Sequence, residues 1–163
     1  MQRAGRDEEF SEFYRARVTA LRRVAYIVTR DWHAAEDVTQ RALVKVYRAW
    51  PRIRPETLEA YVRRAVVNES LSWVTRGPRD VVVDGLPDMA VVEPDSPLDL
   101  DAALATLPPQ QRAVVALRFV DDRSVAETAA ALGLAEGTVK SHTAKAIATL
   151  RQHLPTLTEH WSH

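Results

Sequence analysis

Residues 124–151 read SVAETAAALGLAEGTVKSHTAKAIATLR, and this stretch decides the fold. Ser124 followed three residues later by Glu127 has the form of a capping box: the hydroxyl accepts from the third helical N–H and the carboxylate reaches back to the cap's own N–H. A short alanine-rich helix follows. Gly133 stands where that helix must stop, in the left-handed conformation that glycine adopts cheaply. A second helix is expected from about Glu136 to Arg151. Ala129 lies four residues before the glycine and Val139 six after it, which puts a small residue at a helix crossing and an apolar one where the second helix docks. That spacing is the spacing of a helix-turn-helix.

The second helix has two faces. Val139, Thr143, Ala146 and Leu150 recur at i, i+4, i+7 and i+11 and form an inward stripe. Lys140, Ser141, Ala144 and Lys145 point the other way. Two cations, a hydroxyl and a small residue suit entry into a major groove, with lysine for phosphates or guanine edges. An ordinary helical hairpin with a solvated outer face would carry the same charges. It would not need glycine, caps and turn length to agree.

Working outward, 163 residues suffice for one ordinary domain or two small helical ones. The chain has no cysteine, which excludes disulfides and thiolate metal sites, and it shows no signal peptide or long apolar run. A cytoplasmic protein is expected. Net charge is zero, but its distribution is uneven. Residues 1–75 hold 14 Lys+Arg against 10 Asp+Glu, residues 76–107 hold 2 against 7, and residues 108–163 hold 6 against 5. Two weakly basic halves thus flank an acidic connector, and neither half attracts phosphates strongly by itself.

The N-terminal half reads as three helices. Asp7 to Thr29 carries Phe10, Phe13, Tyr14, Val18, Leu21, Val24, Ala25 and Val28 on one side. Asp31 caps a second helix to about Trp50, where Pro51 stops it; PRIRPE (51–56) is a loop, and a third helix runs from about Thr57 to before Gly77. Residues 77–97 contain four prolines, two glycines and scattered acids, the composition of an extended linker. Leu98–Leu107 starts a second domain with a short helix, and Pro108-Pro109 opens another through Val120. The expected architecture is all-α: a three-helix N-terminal domain (1–75), an acidic linker (76–98), a four-helix C-terminal domain (99–154) and a tail (155–163) in which Trp161 could dock. With the halves tethered only by the linker, their spacing in the free chain is expected to be unset.

Four segments in this order resemble the sigma-70 family of bacterial RNA polymerase sigma factors, in its two-domain extracytoplasmic-function group and an actinobacterial subgroup of it. AEDVTQRALVKVYRAW (35–50) is similar to the signature of the second helix, and AYVRRAVVNES (60–70) to the helix that reads the −10 element. LPPQQRAVVALRFVDDRSVAETAAALG (107–133) and GTVKSHTAKAIATLR (137–151) are similar to the C-terminal domain. The resemblance implies that Asp37 and Gln40 grip the RNA polymerase core. Asn68 would help read the −10 element, with the loop Arg52–Leu58 (Arg52 and Arg54 included) capturing a flipped base and Arg63 and Arg64 holding strand phosphates. Arg118 would contact a phosphate beside the −35 element, where Thr138, Lys140, Ser141, His142, Ala144 and Lys145 form the groove-facing set. His142 and Lys145 replace the commoner arginines, and a lysine is a point charge rather than a fork. Promoter DNA and core polymerase are the implied partners, an anti-sigma factor is a common third, and no cofactor is implied.

Two rivals belong to other classes. TVKSH also resembles the DNA-binding output domain of response regulators, but such a protein needs an α/β receiver in its N-terminal half. An enzyme would need a site: His33 and Glu36 at i, i+3 are a lone pair without further ligands, and no nucleophile–base pair or phosphate-cradling glycine loop is present.

Overall fold

In the computed structural model, residues 2–76 and 98–153 are described, and all their regular structure is helical. The first half holds α1 (Gln2–Thr29), α2 (Trp32–Ala49) and α3 (Leu58–Arg76). The second holds α4 (Leu98–Ala105), α5 (Pro109–Val115, continued by a π-helical turn at Ala116–Val120), α6 (Val125–Leu132) and α7 (Glu136–His153). The expected linker and the tail with Trp161 fall outside the described residues, apart from their edges.

The boundaries follow local chemistry. Arg30 takes φ 60°, a conformation that ends α1, and its N–H reaches the Tyr26 carbonyl. Asp31 then caps α2, its carboxylate accepting from the Ala34 N–H at 3.0 Å. The loop after α2 is two short 3₁₀ turns, Trp50–Arg52 and Pro55–Thr57, each with a proline that starts it. The first helix begins at Gln2, five residues before the expected start at Asp7.

The N-terminal half packs around Leu21, Ala25, Val38, Leu43, Val46, Val62 and Val66, with Phe10, Phe13 and Trp50 against them. The apolar side of α1 is not a single face. Val24 and Val28 turn away from that core into a second one, built with Val67 of α3 and with Ala113, Ala116, Leu117 and Ala131 of the C-terminal half. Periodicity collects all these residues into one broad stripe and cannot divide it between two neighbours.

The halves are therefore docked in the free chain, contrary to the expectation that their spacing is unset. Two polar contacts reinforce the shared core. The buried Arg112 of α5 donates from Nε to the Val28 carbonyl at 2.9 Å and from Nη1 to the Leu107 carbonyl at 2.7 Å. Val28 lies in the last turn of α1, whose carbonyls lack helical partners. Tyr26, stacked on Trp32, donates its hydroxyl to Asp101 of α4 at 2.9 Å.

Arg112→Met keeps most of the stem and deletes both donors, leaving buried carbonyls unsatisfied. A destabilisation of about 1–3 kcal/mol is expected. Urea denaturation of the two proteins checks this; equal midpoints and slopes would show that the clamp adds nothing.

Candidate nucleic-acid interface

The helix-turn-helix forms as its residues dictate. Ser124 Oγ accepts from the Glu127 N–H at 3.0 Å, and Glu127 Oε1 accepts from the Ser124 N–H at 3.1 Å, the reciprocal pair of a capping box. Gly133 closes α6 at φ 66°. Val114, Ala129 and Val139 meet in one small core, so the crossing of α6 and α7 is made by the two residues singled out by spacing. Val139, Ala146 and Leu150 are buried, and Thr143 donates to the Val139 carbonyl along the same side. Lys140, Ser141, Ala144 and Lys145 are exposed, while Thr138 and His142 are half-buried at the edges of that face.

Arg118 sits differently. The π turn ends α5 with Asp121 N–H bonded to the Ala116 carbonyl, five residues back, and Asp122 follows at φ 54°. Arg118 is folded onto this turn, donating from Nη1 to the Arg123 carbonyl at 2.8 Å and lying over the Phe119 ring. Phe119 and Val120, at the end of the turn, are exposed.

In the N-terminal half, Asp37 and Gln40 are exposed on α2; Asp37 pairs with Arg41 at 3.3 Å and Gln40 donates to the Tyr14 hydroxyl at 2.7 Å. Asn68, Arg52 and Arg54 are exposed. A cleft of about 850 Å³ opens beside the loop that follows α2, between Arg6 and Glu9 of α1 and Trp50, Ile53, Pro55 and Leu58.

Of the two arginines expected to hold strand phosphates, Arg63 is buried against the C-terminal half, while Arg64 lies beside that half and stays exposed. Arg64 lies against Gly133 at the end of α6, its Nη2 3.8 Å from where a β-carbon would be, a place where a cation complements the helix dipole. Arg63 is only 4% exposed. It belongs to a closed ring of three arginines and three carboxylates. Arg17 meets Glu59 at 3.1 Å, Glu59 meets Arg63 at 3.6 Å, and Arg63 meets Glu127 at 3.5 Å. Glu127 meets Arg123 at 3.3 Å, Arg123 meets Asp121 at 3.6 Å, and Asp121 returns to Arg17 at 3.7 Å. Arg17, Glu59 and Arg63 come from α1 and α3; Asp121, Arg123 and Glu127 come from the other half. Burial lowers the affinity of the Arg63 guanidinium for its proton, and Arg123 beside it does so further, against the pull of Asp121, Glu127 and Glu59.

Sequence reasoning missed this ring. Glu59–Arg63 and Arg123–Glu127 are legible as i, i+4 pairs. The links between halves carry no sequence signal.

Glu127 is held below the usual carboxylate range, first by the Ser124 backbone N–H, then by the Ser124 hydroxyl, Arg123 and Arg63, with partial burial opposing them. A lowered folded-state value means that its charge stabilises the fold above the ordinary Glu range and that this benefit is lost as pH falls through the folded value. Glu127→Gln keeps the capping acceptor and removes the charge. The variant is expected to be less stable at neutral pH by less than about 1 kcal/mol, because the side chain is 43% exposed. Thermal melts from pH 7 into the acid range should show the gap closing; a gap independent of pH would contradict the assignment.

Known proteins are similar to this chain in sequence and in fold. The profile of sigma-70 region 2 matches residues 13–79, and that of the region 4 group matches residues 98–150. The RNA polymerase sigma-E factor of Streptomyces avermitilis is 40% identical over 153 residues, covering 90% of this chain and 85% of its own. The extracytoplasmic-function sigma factor SigM of Mycobacterium tuberculosis is 31% identical over 156 residues, covering 93% of this chain and 80% of its own. Among solved structures, the sigma factor RpoE of Bartonella quintana, in complex with the anti-sigma factor NepR, shares the fold with a TM-score of 0.76 at 24% identity. That match covers 91% of this chain and 98% of RpoE. The chain belongs to the sigma-70 family of RNA polymerase sigma factors, within the extracytoplasmic-function group.

Proposed function

We propose that this protein is a non-enzymatic subunit that binds the RNA polymerase core inside the cell and directs it to promoters with particular −10 and −35 elements. The observation that carries the reading is the two-faced α7: Val139, Ala146 and Leu150 fix it to the domain while Lys140, Ser141, Ala144 and Lys145 stand in solvent. A helix so mounted can enter a major groove with its N-terminal part on the base edges. Thr138 and His142 flank the contact, and Arg118, turned out of its bond to Arg123, is within the same domain to reach a neighbouring phosphate.

The −10 element falls to α3 and the loop before it. Asn68 offers an amide to a base edge. Arg52 and Arg54 are exposed on the loop whose Pro51, Ile53 and Pro55 line a cleft large enough to hold a base taken out of its stack, which costs a few kcal/mol that the pocket must return. Arg63 and Arg64 would hold the backbone of the separated strand. Asp37 and Gln40, exposed on α2, supply a carboxylate and an amide for the basic surface of the polymerase. An anti-sigma factor is a further partner class, as the RpoE–NepR complex suggests. The rival reading, a regulator with an α/β receiver, has no support in an N-terminal half whose described residues are all helical where regular.

Lys140→Ala with Ser141→Ala should weaken promoter use by about 1–3 kcal/mol for each base edge left unread, with folding intact. Footprints and run-off transcription equal to the parent protein would remove α7 from −35 reading. Asn68→Ala should depress open-complex formation while core binding stays normal. Permanganate reactivity near the start site that matched the parent protein would count against its −10 role.

A further inference from the structure

The cleft beside the loop after α2 has linings of two origins. Pro51, Ile53, Pro55 and Leu58 come from the loop expected to capture a base and from the start of α3, whereas Gly5, Arg6 and Glu9 come from the first turns of α1. Those three residues precede the segment that the region 2 profile matches, which begins at residue 13. We infer that Arg6 and Glu9 select the captured base: the cleft takes a base with an exocyclic amine (cytosine, adenine or guanine) and disfavours thymine. This inference rests on the proposed capture of a strand base by the loop and adds the residues that choose among bases.

The first turns of α1 are held in place by α2. Tyr47 donates its hydroxyl to Asp7, and the Arg6 guanidinium lies over the same ring, 4.9 Å from its centre. Phe10 meets the rings of Tyr47 and Trp50 edge-on, with centroids 5.1 and 5.3 Å away. The two charged side chains bring opposite chemistry to one opening. Arg6 Nε is buried with no hydrogen-bond partner among the described residues, a donor without an acceptor. Glu9 is exposed and offers an acceptor. Half-buried Trp50 adds ring surface on which any base can stack, so stacking binds without choosing. The choice falls to the polar pair. A guanidinium donates to the ring nitrogens and carbonyl oxygens that every base carries, whereas a carboxylate accepts from an amine, as from N4 of cytosine. Thymine has no amine. Its one edge donor, N3–H, stands between two carbonyl oxygens that would face the carboxylate. A carboxylate in the cleft also repels phosphate, which leaves the strand backbone to Arg52 and Arg54, exposed on the loop outside the lining.

The test uses RNA polymerase holoenzyme assembled with the full chain. The chain has no cysteine, so Glu56→Cys, exposed on the loop, can be crosslinked to a thiol tethered to the base at each −10 position of the non-template strand in turn. The position that crosslinks is the captured one. Promoter fragments carrying each of the four bases there are then compared in open-complex formation, without the Glu56→Cys change. The parent protein should open fragments with amine-bearing bases roughly tenfold better than the thymine fragment, the scale of one base contact. Glu9→Gln, whose amide both donates and accepts, should bring that ratio close to one. Arg6→Gln should weaken opening for all four bases by a similar factor and leave the ratio as it was. Glu12→Gln, the same charge change at an exposed position of α1 outside the cleft, should match the parent in level and ratio.

A ratio in Glu9→Gln equal to that of the parent would overturn the inference, and so would a parent protein that does not distinguish thymine. An equal loss for all four bases in Glu9→Gln would make Glu9 a structural residue and overturn it too. In each of these cases a crosslink at one position keeps base capture by the loop. If no −10 position crosslinks above its neighbours, the capture reading itself fails and takes the inference with it.

Discussion

Small apolar side chains from both halves meet in one core, Val24, Val28 and Val67 from one side with Ala113, Ala116, Leu117 and Ala131 from the other, and the docking takes Arg63 and Asp121 out of water. The rest of the arrangement follows from that desolvation. A guanidinium in such a place is costly unless anions surround it, and Arg63 acquires Glu59 and Glu127 while Arg17 acquires Glu59 and Asp121. An ion network of this kind contributes little net stability over an apolar packing, but removing one partner is expensive. Its effect is on which surfaces meet and in what register.

The same constraint bears differently on the two surfaces proposed to read DNA. Helix α7 is mounted by Val139, Ala146 and Leu150 on its own domain and keeps its polar side in solvent whether or not the halves are docked. Helix α3 is shared: Val62 and Val66 belong to the N-terminal core, Val67 to the joint one, and Arg63 to the ring. In the proposed reading, the polymerase is the partner that sets the two halves at promoter spacing. Once one domain is seated there, the second contact with DNA becomes effectively intramolecular.

Much of this was legible in the residues. The capping box at Ser124 and Glu127, the left-handed Gly133, the crossing at Ala129 and Val139 and the cap at Asp31 are local chemistry, and local chemistry is what a sequence displays. The seven α-helices of the described residues and the exposed side of α7 follow from it. The docking of the halves does not. Val24 and Val28 have the same period whether they face one core or two, and alanines such as Ala113, Ala116 and Ala131 give a weak apolar signal that fits equally a solvent-facing helix. Arg63 illustrates the limit best: an arginine in a helix reads as exposed, and only the packing of α6 on α3 buries it. The π turn at Ala116–Val120 was equally hidden, since it shifts the last residues of α5 by one position and leaves Phe119 outside.

The central claim is that promoter reading is completed only on the polymerase. A gel shift on promoter DNA, with the protein alone and with core enzyme added, tests it most directly when paired with run-off transcription from the same fragment. The account predicts weak, salt-sensitive binding by the free protein, as expected from two halves of small positive charge. It predicts tight, specific binding and a defined transcript once core is present. Tight, specific binding by the protein alone, with no transcript on adding core, would contradict it.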